Sequence, residues 1–412
     1  MRLSVILAPL LCLAAPLAAQ DGAQPSGLPD EAAVLGAIDA HPGVQAARAR
    51  IAAAQADASA RARGPHEFNF QGSYIRRTVD REGEFDEFDT QLTRAIRLPG
   101  KARLDRAIGG FGVDAAENLA DDARHDAALL LAEHWYGWLG AAAEALVDRQ
   151  AVGNYERDLA ATRRRVELGD APQLESDQTT AALASARLML EQSEGRMRLA
   201  RARLAAQFPG LPLAAEAPAI PAPEIPAGGL ARLRDLVPER SHEIAAADAI
   251  SRQADSMAER ARRERVADPS LGVRLFSERS GAERGAGLLF SMPLGGGHRA
   301  SLAEQAAAEA NAARSEAALA RFAVQEVADA NLAEAEFRHT AWQRAHEALK
   351  AQMAALAKLR RGQELGEIDL SDLLLGERMV HDAFRAEANA RMEAVRAITL
   401  LRINSHDLWL ME

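Results

Sequence analysis

The segment "RAIRLPGKARLDRA" (Arg94–Ala107) joins two different sequence patterns. Before Pro99, apolar and polar residues alternate, which is typical of a β-strand; after Gly100, strong helix formers dominate. A similar segment, "LLFSMPLGGGHRASLAEQA" (Leu288–Ala306), follows later, and Pro99 and Pro293 are 194 residues apart (293 − 99). The sequence therefore predicts two copies of a unit in which a strand, a turn and a long helix follow one another.

Each copy contains two alternating stretches that predict a β-hairpin, at about 67–98 and about 270–293. In the first hairpin, Asp89, Gln91 and Thr93 lie opposite the apolar side of the second strand. The apolar positions are Phe68, Phe70, Tyr74, Phe88, Leu92, Leu271, Val273, Leu275, Leu288, Phe290 and Met292. Both hairpins are thus expected to have one apolar and one polar face.

Long proline-free tracts follow both hairpins and predict helical hairpins at about 100–208 and about 298–404. Leu131, Trp135, Trp138 and Ala142 step by 4, 3 and 4, the spacing of packed helices. The turn segments "ELGDAP" and "ELGEID" place Gly169 and Gly366 at 197 residues' separation (366 − 169). The chain therefore reads as a first repeat (20–208), a Pro-rich linker (209–240) and a second repeat (241–412), each with a helix, a strand hairpin and a helical hairpin.

Composition supports long helices and export. Aromatic residues make up only 4% of the chain and charged residues 26%, which favours closely packed helices over a core of bulky rings. Residues 1–19 read as a secretory signal peptide and contain Cys12, the only cysteine, so disulfides and thiolate metal sites are not expected in the exported chain. The net charge of −10 argues against nucleic acid as a partner.

Four strands from one chain cannot close a barrel, and an open sheet edge is not tolerated in lipid. Three chains would supply twelve strands, an even number that can close with an apolar outer face. The alternative is a small soluble sheet packed on the helices of the same chain.

The duplicated order of these elements resembles the TolC-like outer-membrane efflux protein family over nearly all of the chain after residue 19. The paired Gly-x5-acidic turns (Gly169…Glu175 and Gly366…Asp372) and the strand–Pro–Gly–basic–helix segments carry the resemblance. "IRLPGKARLDRA" is similar to the heavy-metal-cation (CzcC-like) branch. The resemblance implies a homotrimer in the outer membrane, with a twelve-strand barrel continuing into a helical tunnel through the periplasm. It also implies two partners, a periplasmic adaptor protein and an inner-membrane transporter driven by protons or ATP, with protons favoured.

The resemblance places Asp372 in a periplasmic gate and Asp369 in a neighbouring carboxylate ring. Three symmetry copies of such a carboxylate around a narrow pore would favour cations. The family often has a second acid three residues further on, where this chain has Leu375. Asp372 could instead only stabilise a helix N-terminus through the helix dipole. Glu175, the equivalent acid of the first repeat, is expected on the non-gating hairpin.

The tips of the two helical hairpins are the expected adaptor contacts. They comprise Glu167, Leu168, Gly169, Glu364, Leu365 and Gly366. As ordinary helix–helix turns these residues would look the same, so docking rests on the resemblance.

Neither a metal site, a cofactor nor an enzyme active site is predicted. His339 and His346 are seven residues apart, His125 and His134 nine, and neither pair has the i, i+4 spacing of two ligands on one helix face. These histidines are expected on solvated helix faces. "LPGKAR" and "GGGHRAS" lack the residues of a phosphate-binding loop, and no G-x-S-x-G motif occurs.

The predicted function is a passive exit duct in a tripartite efflux system for metal cations. An exit duct for drug efflux or type I protein secretion is one alternative. A soluble periplasmic coiled-coil scaffold is another, although two equivalent helical hairpins and two strand pairs count against it.

Overall fold

The computed structural model describes residues 27–410, so the predicted signal peptide and Cys12 lie outside the described residues. The predicted mostly helical fold with a small antiparallel sheet is confirmed. The helices are α1 (Glu31–Ala40), α2 (Pro42–Arg63), α3 (Lys101–Glu167), α4 (Gln173–Gln207), α5 (Gly229–Glu239), α6 (His242–Glu264), α7 (Gly297–Glu364) and α8 (Leu370–Asn404). The strands are β1 (Phe68–Val79), β2 (Gly83–Ala95), β3 (Ser270–Glu278) and β4 (Glu283–Ser291).

The four strands form one antiparallel sheet in the order β1-β2-β3-β4. Each hairpin pairs its own strands, and β2 of the first repeat pairs with β3 of the second, for example at Leu92 and Val273. β1 and β4 form the two edges of the sheet. The two repeats are thus joined across the middle of the sheet.

One face of the sheet is apolar and exposed. The register pairs Phe70 with Leu92, Leu92 with Val273, and Val273 with Leu288, which aligns these side chains on one face. Phe70 is 71% exposed and Leu288 is 90% exposed. The soluble-sheet alternative requires this apolar face to pack on the helices of the same chain. The exposure of the face shows that it does not.

The Arg94–Ala107 segment forms the joint between the sheet and α3. Gly100, with φ of 88°, lets the chain turn into the helix. Lys101 is buried, and its Nζ donates to the backbone oxygen of Val266 and to Oδ1 of Asp268, both at 2.8 Å. Asp268 Oδ1 also accepts from the backbone N–H of Leu98 at 2.9 Å. This lysine and this aspartate thus fasten the first repeat to the end of α6.

Helices α3 and α7 contain 67 and 68 residues, which corresponds to about 100 Å each. Helix α3 packs against α2, α4, α6 and α8. A core around Leu131 and Trp138 joins α3 to α1, α4 and the segment after α8. None of the helices between residues 27 and 410 has the length and apolar character needed to cross a lipid bilayer.

The range expected to be a Pro-rich linker contains a helix, α5. Leu230, Leu233 and Val237 lie on one face of α5 and are buried against α7 and α8. Pro238 falls in the last turn, so it breaks the helix only at its end. Burial of this face outweighs the proline signal, and within the expected linker only residues 209–228 and Arg240 lie outside the helix.

Candidate functional site: the helix–turn tips and the α3–α8 seam

The two helical hairpins end in turns with the same backbone geometry. Gly169 and Gly366 have φ of 78° and 76°, the left-handed conformation that terminates a helix. The N–H of Asp170 donates to the oxygen of Arg165 at 2.8 Å, and the N–H of Glu367 donates to that of Gly362 at 2.9 Å. The turn motif noted in the sequence therefore has the same structure in both repeats.

The six residues expected to contact an adaptor lie at these tips and are exposed. Leu168 is 66% exposed and Leu365 is 57% exposed, so each tip presents one apolar side chain. Behind each leucine lies an ion pair, Arg164–Glu167 at 3.1 Å in the first tip and Arg361–Glu364 at 3.0 Å in the second.

The tips differ in how their acidic residues are paired. Arg165 Nη1 donates to Oε2 of Glu175 at 3.2 Å in the first tip. The position equivalent to Arg165 in the second tip is Gly362, which has no side chain that could pair with Asp372. Among the described residues, Glu175 of the first tip is thus paired with an arginine, whereas the equivalent Asp372 of the second tip is not.

Asp369 and Asp372 are both exposed at the start of α8. Asp369 is the N-cap residue but makes no side-chain cap hydrogen bond, and Asp372 lies in the first turn. Neither carboxylate is paired with a side chain of residues 27–410. The second tip therefore carries two unneutralised carboxylates beside the positive end of a helix dipole.

The two helical hairpins meet where α3 runs antiparallel to α8, and we call this contact the α3–α8 seam. Its polar contacts, from the far end towards the tips, are His125–Asn404, Tyr136–Thr399, Asp148–His381 with Arg385, and Asp158–Glu377. Sequence reasoning did not identify this seam.

The middle of the seam is a buried charge cluster. Asp148 is fully buried, and its Oδ1 lies 2.9 Å from Nε2 of His381 and 3.2 Å from Nη1 of Arg385. Arg385 also pairs with Glu144. Asp148 does not continue the spacing of Leu131, Trp135 and Trp138 along α3, which leads to Ala145 and Arg149, so that pattern does not place it in the helix interface.

The tip end of the seam brings two carboxyl groups together. Glu377 is 7% exposed, and its Oε1 accepts from Nη2 of Arg360 at 3.0 Å. Its other oxygen, Oε2, and Oδ2 of Asp158 are buried without a donor among the described residues. Burial, followed by the negative charge of Asp158, raises the pKa of Glu377 to about 7.

The far end of the seam holds three histidines. The ring of His406 lies 5.2 Å from that of His125 and 5.0 Å from that of His242, beside a cavity of about 60 Å³. Burial, together with the two neighbouring histidines, lowers the pKa of His406 to about 4. The expectation that His125 lies on a solvated helix face is wrong, because His125 Nε2 contacts Oδ1 of Asn404 at 2.9 Å in the α3–α8 interface.

The members of the His125–His134 and His339–His346 pairs have other neighbours in the described chain. Between residues 27 and 410, no group of three or more His, Asp or Glu residues is placed to hold a metal ion. His346 instead lies near Glu387, with Nδ1 3.4 Å from Oε1, and His339 contacts the ring of Trp342.

A known protein family matches the sequence of the first repeat. Residues 36–207 match the outer membrane efflux protein family. This match covers α2, the first strand hairpin and the first helical hairpin, and ends at the last residue of α4. No curated protein sequence matches the chain.

Solved structures resemble the chain over most of its length. A membrane protein from Pseudomonas aeruginosa is 18% identical with a TM-score of 0.75, covering 92% of this chain and 91% of that one. The outer membrane protein VceC from Vibrio cholerae is 18% identical with a TM-score of 0.73, covering 92% and 96%. The CmeC outer membrane channel of Campylobacter jejuni is 16% identical with a TM-score of 0.71, covering 92% and 86%. The chain thus has the fold of these proteins, including the second repeat.

Proposed function

We propose that the whole chain is a member of the outer membrane efflux family and acts as a passive exit duct for metal cations, and not as an enzyme. In this proposal three copies assemble in the outer membrane and extend into the periplasm. The single observation that carries the proposal is the four-stranded sheet, with an exposed apolar face, at the start of two helices about 100 Å long.

The sheet fits this role because both of its edges are open and its apolar face lacks a cover. Pairing β4 of one chain with β1 of the next would remove all edges in a ring of three chains and give twelve strands. The polar face, with Asp89 and Arg274 paired, would then line the lumen. An apolar exterior and a polar interior are what a barrel in lipid requires.

Helix α7 supplies a second argument for assembly. It exposes large apolar residues along much of its length, including Leu319 at 66%, Phe322 at 75% and Phe337 at 62%. Apolar side chains repeated along one long helix are typical of a surface covered by another protein. A neighbouring copy of the same chain would provide that cover.

The unpaired carboxylates of Asp369 and Asp372 support cation transport. In a trimer they would form two rings at the periplasmic end, where concentrated negative charge attracts cations and repels anions. The exposed tips would contact a periplasmic adaptor, which would connect the duct to a proton-driven transporter of the inner membrane. Leu168 and Leu365 are the apolar contacts that the tips offer.

The mass of the detergent-extracted protein tests the assembly. We expect light scattering, corrected for bound detergent, to give three times the mass of one chain from an outer-membrane fraction. A monomer released from the periplasm without detergent would overturn the duct and favour a helical scaffold.

Conductance in planar bilayers tests the gate. We expect Asp372→Ala to lower the cation-over-anion permeability ratio, since it removes an unpaired carboxylate from each chain. Glu175→Ala is the matched control, because it removes the equivalent acid, which is paired with Arg165. An unchanged ratio in Asp372→Ala, or an equal change in both variants, would contradict the gate assignment.

A further inference from the structure

The polar contacts of the α3–α8 seam contain a donor at every level except one. His125, Tyr136, and His381 with Arg385 each supply a proton donor to a group on the opposite helix. At the level nearest the tips, a carboxyl group on α3 faces a carboxyl group on α8. Two carboxylates cannot form a hydrogen bond unless a proton is held between them.

The unpaired oxygens of the two carboxyl groups are where such a proton would bind. Asp158 Oδ2 and Glu377 Oε2 are both buried and lack a donor among the described residues. Arg360 already donates to the other oxygen of Glu377, at 3.0 Å, so it does not fill this need. A buried oxygen pair without a donor is costly, and one shared proton satisfies both oxygens.

The surroundings favour a single negative charge on the pair. Tyr155 on α3, Arg360 on α7, and Arg378, His381 and Asp382 on α8 face this region. The nearest residues of α4 in the adjoining core, Leu183 and Ala186, are apolar. Arg360 balances one carboxylate but not two, so a second charge would be buried without compensation.

We propose that Asp158 and Glu377 form a proton-binding site that fastens the second helical hairpin to the first. With the proton bound, the two carboxyl groups join α8 to α3; without it, they repel each other. Loss of the proton therefore loosens the start of α8, which carries Asp369 and Asp372. This inference goes beyond the proposed duct and can be tested whether or not the chain transports anything.

The direction of the pH effect follows from the raised pKa of Glu377. The docked state holds the proton up to about pH 7, whereas an undocked glutamate loses it near 4.5. Below pH 4.5 Glu377 is protonated in both states, and between pH 4.5 and about pH 7 it is protonated only in the docked state. Docking is therefore lost as the pH rises through about 7.

Amide hydrogen exchange of the detergent-solubilised full chain tests the site. We expect the protection of residues 373–381, corrected for the intrinsic pH dependence of exchange, to fall by about 30-fold between pH 5.5 and 8.5. In Asp158→Asn the amide can donate to Glu377 at every pH, so this fall should disappear. In Glu377→Gln the new amide can donate to Asp158 at every pH, so the fall should disappear there too. Oε1 of the glutamine can still accept from Arg360.

Asp382→Asn is the matched control, since it removes an exposed carboxylate from the same helix. In this variant the protection of residues 373–381 should fall as the pH rises, as it does in the unsubstituted chain. If protection does not change with pH in the unsubstituted chain, or if the fall persists in both Asp158→Asn and Glu377→Gln, the shared-proton site is refuted.

Discussion

Helices α3 and α7 occupy the same place in the two repeats and have nearly the same length, yet they are buried to different extents. Their starts are 196 residues apart (297 − 101) and their ends 197 (364 − 167), so α7 has one residue more than α3. Leu131 and Trp138 of α3 are buried, whereas Val327, in the corresponding part of α7, is 46% exposed. In the shorter helices the relation is reversed, since α8 lies against α3 while α4 is largely exposed. The two repeats therefore agree in helix lengths and turn geometry. They differ in which helix is buried: the long helix α3 in the first repeat and the short helix α8 in the second.

The largest difference between the repeats is expected between Asp148 and Arg344, which lies in the corresponding part of α7. Asp148→Ala leaves His381 without its partner and should lower the free energy of unfolding by roughly 3–5 kcal/mol. The side chain of Arg344 is 77% exposed, so Arg344→Ala should lower the free energy of unfolding by less than about 0.5 kcal/mol. Denaturant unfolding in detergent measures both. Similar losses would mean that the charge cluster does not hold the seam.

The next largest effect separates Leu131 from Val327. Leu131→Ala opens a cavity in the core and should cost roughly 2–5 kcal/mol, whereas Val327→Ala opens no cavity within the chain and should cost less, even where a neighbouring copy covers part of α7. The same unfolding measurement compares the two variants. An equal loss at Val327 would break the comparison, because a neighbouring copy would then bury α7 as completely as the core buries Leu131.

The ends of the two shorter helices should differ in their response to acid. The pKa of His406 is lowered to about 4, so between pH 6.5 and about 4 the unfolded chain binds a proton that the folded chain excludes. Stability is therefore complete above pH 6.5 and falls on acidification, by roughly 2–3 kcal/mol at pH 4. At the equivalent position after α4 the chain has Pro209, which does not titrate.

His406→Asn should reduce this acid sensitivity, as measured by the unfolding temperature at pH 7 and pH 4.5. Asparagine suits the position because φ there is 55°, a conformation that asparagine tolerates. If the variant loses as much stability in acid as the unsubstituted chain, His406 is not the responsible group.

The smallest effect is expected at the two turn glycines. Gly169→Ala and Gly366→Ala each place a side chain at positive φ and should each cost about 1 kcal/mol. Because the two turns have the same geometry, equal changes in unfolding temperature are expected. A clearly larger loss at Gly366 would show that the second tip is under an additional constraint.

Local patterns were enough to predict most of the fold. Alternation gave the strands, helix formers without proline gave α3 and α7, and Gly169 and Gly366 marked the turns. Helix α5 was missed because its burial depends on α7 and α8, which lie far along the chain. A proline-rich composition says nothing about a face that a distant helix covers.

The tips could be located from sequence, but the seam could not. Asp369 and Asp372 follow a recognisable turn motif, whereas the contact of Asp158 with Glu377 joins residues 219 positions apart (377 − 158). No spacing rule predicts which face of α8 meets α3 when both helices have apolar residues on several sides. The spacing of Leu131, Trp135 and Trp138 along α3 does not extend to Asp148, so neither its burial nor its partners could be predicted.

The pairing of β2 with β3 has a consequence for how the chain folds. β2 ends at Ala95 and β3 begins at Ser270, 175 residues later (270 − 95), so this pairing closes a very long loop. Contacts so distant in sequence form slowly, and until β3 arrives the first hairpin has a free edge open to wrong partners. The sheet is therefore expected to be the last part of the chain to fold and the part most in need of protection from aggregation.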